Sequence, residues 1–116
     1  MTNKPPRIED SPWGRMEWLA DHASHPGAKT SLAKMIVKPG AETPLHRHDN
    51  CSEVIHVLEG AVELQVSAYS PIPLGTGETY LFPAYTPHSL RNVGEGDAVL
   101  MLSFSNANRS YKEIAA

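Results

Sequence analysis

His46 and His48 stand one residue apart, Glu53 follows five residues after the second, and His88 lies forty residues beyond the pair. Three imidazoles and a carboxylate can close around a divalent transition ion. The mixture of nitrogen and oxygen donors suits Fe, Mn, Ni, Co or Zn, and disfavours the thiolate-seeking Cu(I) and the oxygen-seeking Ca and Mg. An ion held this way can polarise a carbonyl, stabilise an enediolate or lower the pKa of bound water; a redox-active one can also bring dioxygen to a chelating substrate. These routes correspond to isomerase, lyase or decarboxylase, and oxygenase chemistry, and the ligands alone do not choose between them.

Geometry restricts where such donors can sit. Side chains alternate along a β-strand, so two histidines separated by one residue share a face there, whereas on a helix they diverge by about 200°. His46-Arg47-His48 is therefore a strand motif, with Arg47 turned to the opposite face. A lone His-x-His is more often a surface pair than a metal site; Glu53, His88 and the spacing of the surrounding glycines favour the metal. His22 and His25 lie in a polar loop, and His56 has odd parity relative to Glu53, so these three stay outside the set.

Ten prolines and eight glycines divide the chain too often for long helices. Strand character falls on Ser31 to Val37, Glu53 to Leu58, Ala61 to Val66, Thr79 to Phe82 and Asp97 to Phe104. Turn signals separate them at Lys38-Pro39-Gly40, Glu59-Gly60, Ser70-Pro71, Gly75-Thr76-Gly77 and Gly94-Glu95-Gly96, the punctuation of a sandwich or barrel. Val54 to Leu64 reads as a hairpin with Glu59-Gly60 at its tip. Residues 1–12, with three prolines among polar residues, read as an N-terminal arm or tail, and 13–116 as one domain. Asp21 to Lys29 reads as a loop, and Arg109 to Ala116 as a short helix or an extended tail.

Composition narrows the class of partner. A net charge of -3 offers no basic field for nucleic acid. No apolar run reaches membrane-spanning length, the N-terminus lacks the apolar core of a signal peptide, and the single cysteine, Cys51, fits a reducing compartment. The expectation is a cytoplasmic protein that touches neither membrane nor nucleic acid. Sheet edges that need covering, together with the apolar residues from Trp13 to Leu19, predict a homodimer, although Trp13 and Trp18 can equally pack on their own barrel.

Two motifs are assembled from these residues. Gly40, His46, His48, Glu53 and Gly60 follow the order glycine, five residues, His-x-His, four residues, glutamate, six residues, glycine. Gly77, Pro83, His88 and Asn92 fit a second order: glycine, five residues, Pro-x-Gly, two residues, histidine, three residues, asparagine. Only Tyr85 departs, standing where glycine is usual. On these two motifs, spanning 40–60 and 77–92, the chain resembles the small single-domain members of the cupin superfamily.

The resemblance implies an all-β fold, a double-stranded β-helix or jelly-roll barrel, with His46, His48, Glu53 and His88 as metal ligands in its mouth. It further implies turn roles for Gly40, Gly60 and Gly77, a bend at Pro83, and a backbone-bonding role for Asn92. Tyr85 is either an exposed or packed loop residue or a phenol near the site entrance. Parity places Ile55 and Val57 on the Glu53 face, and Ala98, Leu100, Leu102 and Phe104 on one face of a late strand, which predicts an apolar cavity. With no evident arginine or lysine pair, and Arg91 at most on the rim, the expected ligand is small, neutral or singly anionic. The expected function is a metal-dependent enzyme acting on a small oxygenated metabolite, with dioxygenase chemistry ahead of isomerase or lyase chemistry. A non-catalytic binding or sensing module is the alternative, and no general base is assigned.

Overall fold

The computed structural model describes residues 5–66 and 71–115. Eleven strands run through them: β1 (Arg7–Ser11), β2 (Gly14–Ala20), β3 (Ser31–Val37), β4 (His46–Arg47), β5 (Glu53–Glu59), β6 (Ala61–Val66), β7 (Ile72–Gly75), β8 (Thr79–Phe82), β9 (His88–Asn92), β10 (Ala98–Phe104) and β11 (Lys112–Glu113). They form a six-stranded sheet in the order β1-β2-β3-β10-β5-β8 and a five-stranded sheet in the order β11-β4-β9-β6-β7. Among the described residues the strands pair antiparallel. The architecture is the jelly roll, drawn as two facing sheets; among the described residues, hydrogen bonding does not run continuously around a closed barrel.

Period-two alternation explains why these segments are strands and which way they face. Along β10, Ala98, Leu100, Leu102 and Phe104 are buried, and Ile55 and Val57 of β5 join them beside Glu53. The five-stranded sheet contributes Val62, Leu64, Val66 and Leu90 from the opposite side. Each such aliphatic side chain removed from water contributes about 2 kcal/mol, so register is tightly specified: a slip of one residue would turn the whole set outward.

Several sequence expectations change. Glu59-Gly60 is not a hairpin tip, because β5 and β6 belong to different sheets and do not pair. Gly60 is instead the corner where the chain crosses between layers. Its φ of 102° favours glycine, and a Cβ there would press on the Ala98 Cα at 3.1 Å. From the proposed arm, Arg7–Ser11 is extended as expected, but it is zipped onto β2 as an edge strand. Residues 1–4 of that arm, Ser70 of the Ser70-Pro71 turn, and Ala116 lie outside the described residues. The C-terminal segment is extended rather than helical, and β11 pairs with β4.

Candidate metal centre

The four donors come from three places in the fold. β4 and β9 pair with His46 directly opposite His88, which sets their rings 4.3 Å apart on the inner face of the five-stranded sheet. Glu53, first residue of β5, rises from the other sheet opposite Phe82 and Phe104. His48 lies just past β4 and keeps the period-two alternation, with His46 and His48 buried and Arg47 turned out to pair with Asp49 at 2.8 Å. One potential ligand atom from each of His46, His48, Glu53 and His88 lies within 4.8 Å of the others. Donors about 2.0–2.2 Å from one ion are at most roughly 4.4 Å apart, so the cluster would close around an ion by drawing in a few tenths of an ångström.

Hydrogen bonding fixes which ring nitrogen faces the centre. His46 Nδ1 donates to the Pro44 carbonyl at 2.7 Å, His88 Nδ1 to the Thr86 carbonyl at 2.8 Å, and His48 Nδ1 to the Ser110 carbonyl at 2.7 Å. A carbonyl only accepts, so Nδ1 carries a proton, and Nε2 is the atom each ring turns toward the centre. His48 Nε2 and His88 Nε2 each lie 3.0 Å from the same Glu53 oxygen, Oε1. Contacts this short between a ring nitrogen and a carboxylate oxygen require a proton or a cation between them. A divalent transition ion satisfies the whole set at once, and the outward carbonyls orient the rings as ligands need.

Aromatic rings wall each imidazole. Phe82 stacks on His88 at 4.0 Å and 9°, Phe104 meets His48 edge-on at 5.2 Å, and Tyr111 stacks on His46 at 4.9 Å. Burial, followed by repulsion from His88, pulls the His46 pKa down to about 4, which keeps that ring neutral. Burial alone would raise the Glu53 carboxyl, but hydrogen bonds from His48 and His88 outweigh it and hold the group at about 2. The cluster thus offers neutral His46 and an ionised carboxylate at neutral pH.

A cavity of about 40 Å³ adjoins His46, His48 and Glu53, bounded by Met16, Met35, Leu102 and Phe104. It has room for roughly three waters or a group of that size. Trp13, Met16, Pro44, Arg109 and Tyr111 line both this cavity and an outer cleft of about 480 Å³. Arg109 corrects the expectation of a cavity without a cation, since the residue arrives from the C-terminal segment and has no periodic pattern to announce it. Tyr111 was missed for the same reason.

The other singled-out residues take structural places. Arg91 is exposed on the outer face and pairs with Glu63 at 2.6 Å, away from the cavity rim. His56 bonds Thr79 on the outer face of its sheet, and His22 and His25 lie in the loop before β3. Asn92 is 2% exposed and bonds the Val37 and Gly96 carbonyls and the Gly94 N–H, as its motif position implies. Cys51 is buried, and desolvation raises its thiol pKa. Tyr85 is 66% exposed with a φ of 67°, so the position calls for the left-handed backbone that glycine adopts freely. Its N–H donates to the His48 carbonyl at 2.8 Å, while its phenol faces outward from the loop.

Comparison with known proteins decides the family. The family model described as "Cupin domain" matches residues 33–104. The chain belongs to the cupin family. Among curated cupin relatives, germin-like protein 1-1 of Oryza sativa subsp. japonica is 30% identical over 97% of this chain and 56% of its own length. Nectarin-1 of Nicotiana langsdorffii x Nicotiana sanderae is 27% identical over 87% of this chain and 47% of its own. This cupin therefore spans about half the length of the curated relatives it matches. Of solved structures, the formate complex of Lactobacillus farciminis oxalate decarboxylase superposes with a TM-score of 0.85 at 18% identity, covering 94% of this chain and 33% of that one. An oxalate oxidase in complex with glycolate gives 0.82 at 22% identity, covering 97% and 62%. At these identities the structural likeness shows the cupin fold alone. No helix among the described residues is long and apolar enough to cross a membrane.

Proposed function

We propose that this cupin is a metal-dependent oxidoreductase of small oxygenated acids, in which His46, His48, Glu53 and His88 hold a divalent transition ion. The observation that carries the reading is the convergence of three imidazole nitrogens and one carboxylate oxygen beside a small, largely apolar cavity. The bound ion would supply charge stabilisation and, if iron or manganese, electron transfer to dioxygen. The chain's own residues orient and exclude. Carbonyls of Pro44, Thr86 and Ser110 hold the rings, while Met16, Met35, Leu102 and Phe104 keep bulk water from the reacting end. Burial and the bond to Glu113 raise the Tyr111 pKa to about 12, so at neutral pH its hydroxyl remains a proton donor, given to Glu113 rather than to the cavity.

Oxidase chemistry of the dioxygen-consuming kind is favoured by the oxalate oxidase likeness, and a decarboxylase is the second reading, favoured by the oxalate decarboxylase likeness. Protein purified without added metal or a metal-binding tag should carry an ion by elemental analysis, and should consume oxygen with oxalate until a chelator strips it. Carbon dioxide release without oxygen uptake would select the decarboxylase. Tight oxalate binding with neither product would sink the enzymatic reading in favour of a sensing module.

We further propose a homodimer. Trp18 is 5% exposed and packs on its own core, so its support passes to the outer face of the six-stranded sheet, where Leu32, Val54, Leu58 and Leu81 are exposed. Light scattering should give about twice 12.7 kDa; a monomer at micromolar concentration would overturn it. The buried, unpaired Cys51 supports a cytoplasmic location, which cell fractionation would check.

A further inference from the structure

We propose that Arg109 is the specificity-determining residue of this site: its guanidinium receives the carboxylate of a small anionic ligand whose remaining oxygens extend toward the four-donor cluster. The inference rests on the metal-site reading and adds to it a residue outside both sequence motifs.

Three observations carry it. The guanidinium carbon lies 4.8 Å from the Trp18 ring centre, 5.1 Å from that of Tyr111 and 5.3 Å from that of Phe104, so aromatic faces hold the side chain in place. Its Nε is buried with no hydrogen-bond partner, and Arg109 forms no ion pair among the described residues. The acids around the outer cleft are engaged elsewhere: Glu9 accepts from the Trp18 indole, Asp10 pairs with Arg15, and Glu113 accepts from the Tyr111 hydroxyl. A desolvated donor without an acceptor is costly, and burial depresses the Arg109 pKa accordingly.

Charge sets the ligand class. Among the residues lining the inner cavity, Glu53 carries one negative charge and Arg109 one positive, and a divalent ion on the donor cluster would add two positive charges beside the apolar wall. A carboxylate relieves both the charge and the open donor, since the guanidinium fork matches its two oxygens. The inner cavity of about 40 Å³ takes only the head of such a molecule, and the cleft of about 480 Å³ behind Arg109 and Tyr111 accommodates any tail.

The test uses the full chain, metal-loaded, with glycolate and its neutral analogue glycolamide as probes in calorimetric titration, and metal content measured on the same samples. The wild-type protein should prefer glycolate at least tenfold. Arg109→Met should erase that preference at unchanged metal content, and Arg109→Lys should restore part of it. Trp18 beside the guanidinium gives a readout that needs no variant: glycolate should change tryptophan fluorescence at concentrations where glycolamide does not. Equal binding of the two probes by the wild-type protein, or full glycolate preference in Arg109→Met, would overturn the proposal. A protein that holds no ion yet keeps an Arg109-dependent glycolate preference would overturn only the metal reading.

Discussion

Residues 40–92 and the two terminal segments build opposite sides of one cavity by different means. The middle of the chain supplies all four donors from positions fixed by strand alternation and by the direct β4–β9 pairing. The termini supply Trp13, Met16 of β2, and Arg109 and Tyr111 from the segment beyond β10, none of which belongs to the donor cluster. Metal chemistry is thus set by regular backbone, and what may approach it by chain that is regular only through what it touches.

Breaking the middle should have the largest effect. Glu53→Gln removes the charge that both His48 and His88 address and should reduce metal retention by more than the roughly 10–100-fold typical of outer-sphere changes. Elemental analysis after dialysis checks this. A comparable loss in Tyr111→Ala would erase the distinction between the two regions.

pH should separate them next. His46 has a folded pKa of about 4 against 6.5 when unfolded, so between those values the unfolded chain takes up a proton that the native protein refuses. Stability of the chelator-treated protein should fall by up to about 3 kcal/mol as pH drops through that window. Urea melts from pH 7 to 4 should show a slope that His46→Gln flattens. Tyr111 works with the opposite sign. Its folded pKa is raised from 10 to about 12, so its contribution is complete below pH 10 and is lost as pH climbs toward 12. The alkaline window should vanish in Tyr111→Phe, while the acid one stays.

Smaller effects sharpen the comparison. Tyr111→Ala loses the ring stacked on His46 and should cost about 1 kcal/mol in a thermal melt while leaving metal content near stoichiometric. Tyr85→Gly should do the reverse on a smaller scale. Relief of the left-handed backbone at φ 67° exceeds the entropy cost of glycine, for a net gain below about 1 kcal/mol in urea melts.

Legibility in the sequence follows the same division. His46, His48 and the parity of Glu53 with Ile55 and Val57 could be read because alternation is local, and His88 because a proline loop places it at a strand start. The Gly60 corner was misread as a hairpin since a turn residue does not say whether the next strand pairs back or crosses to the facing sheet. β1 and β11 are short, polar and exposed; their pairing depends on partners in β2 and β4 rather than on any pattern of their own. Arg109 reaches the cavity only because the Ser110 backbone and side chain dock against His48, Asp49 and Asn50, about sixty positions earlier.

The tie between His48 and Ser110 runs to a main-chain oxygen. Every amino acid carries that oxygen; at position 110 the serine hydroxyl seats it by accepting from the Asp49 and Asn50 N–H groups. Neighbouring positions 109 and 111 are then free to change without retuning the ring. The segment can be rewritten, by selection or by an engineer, as a replaceable faceplate over a constant metal socket.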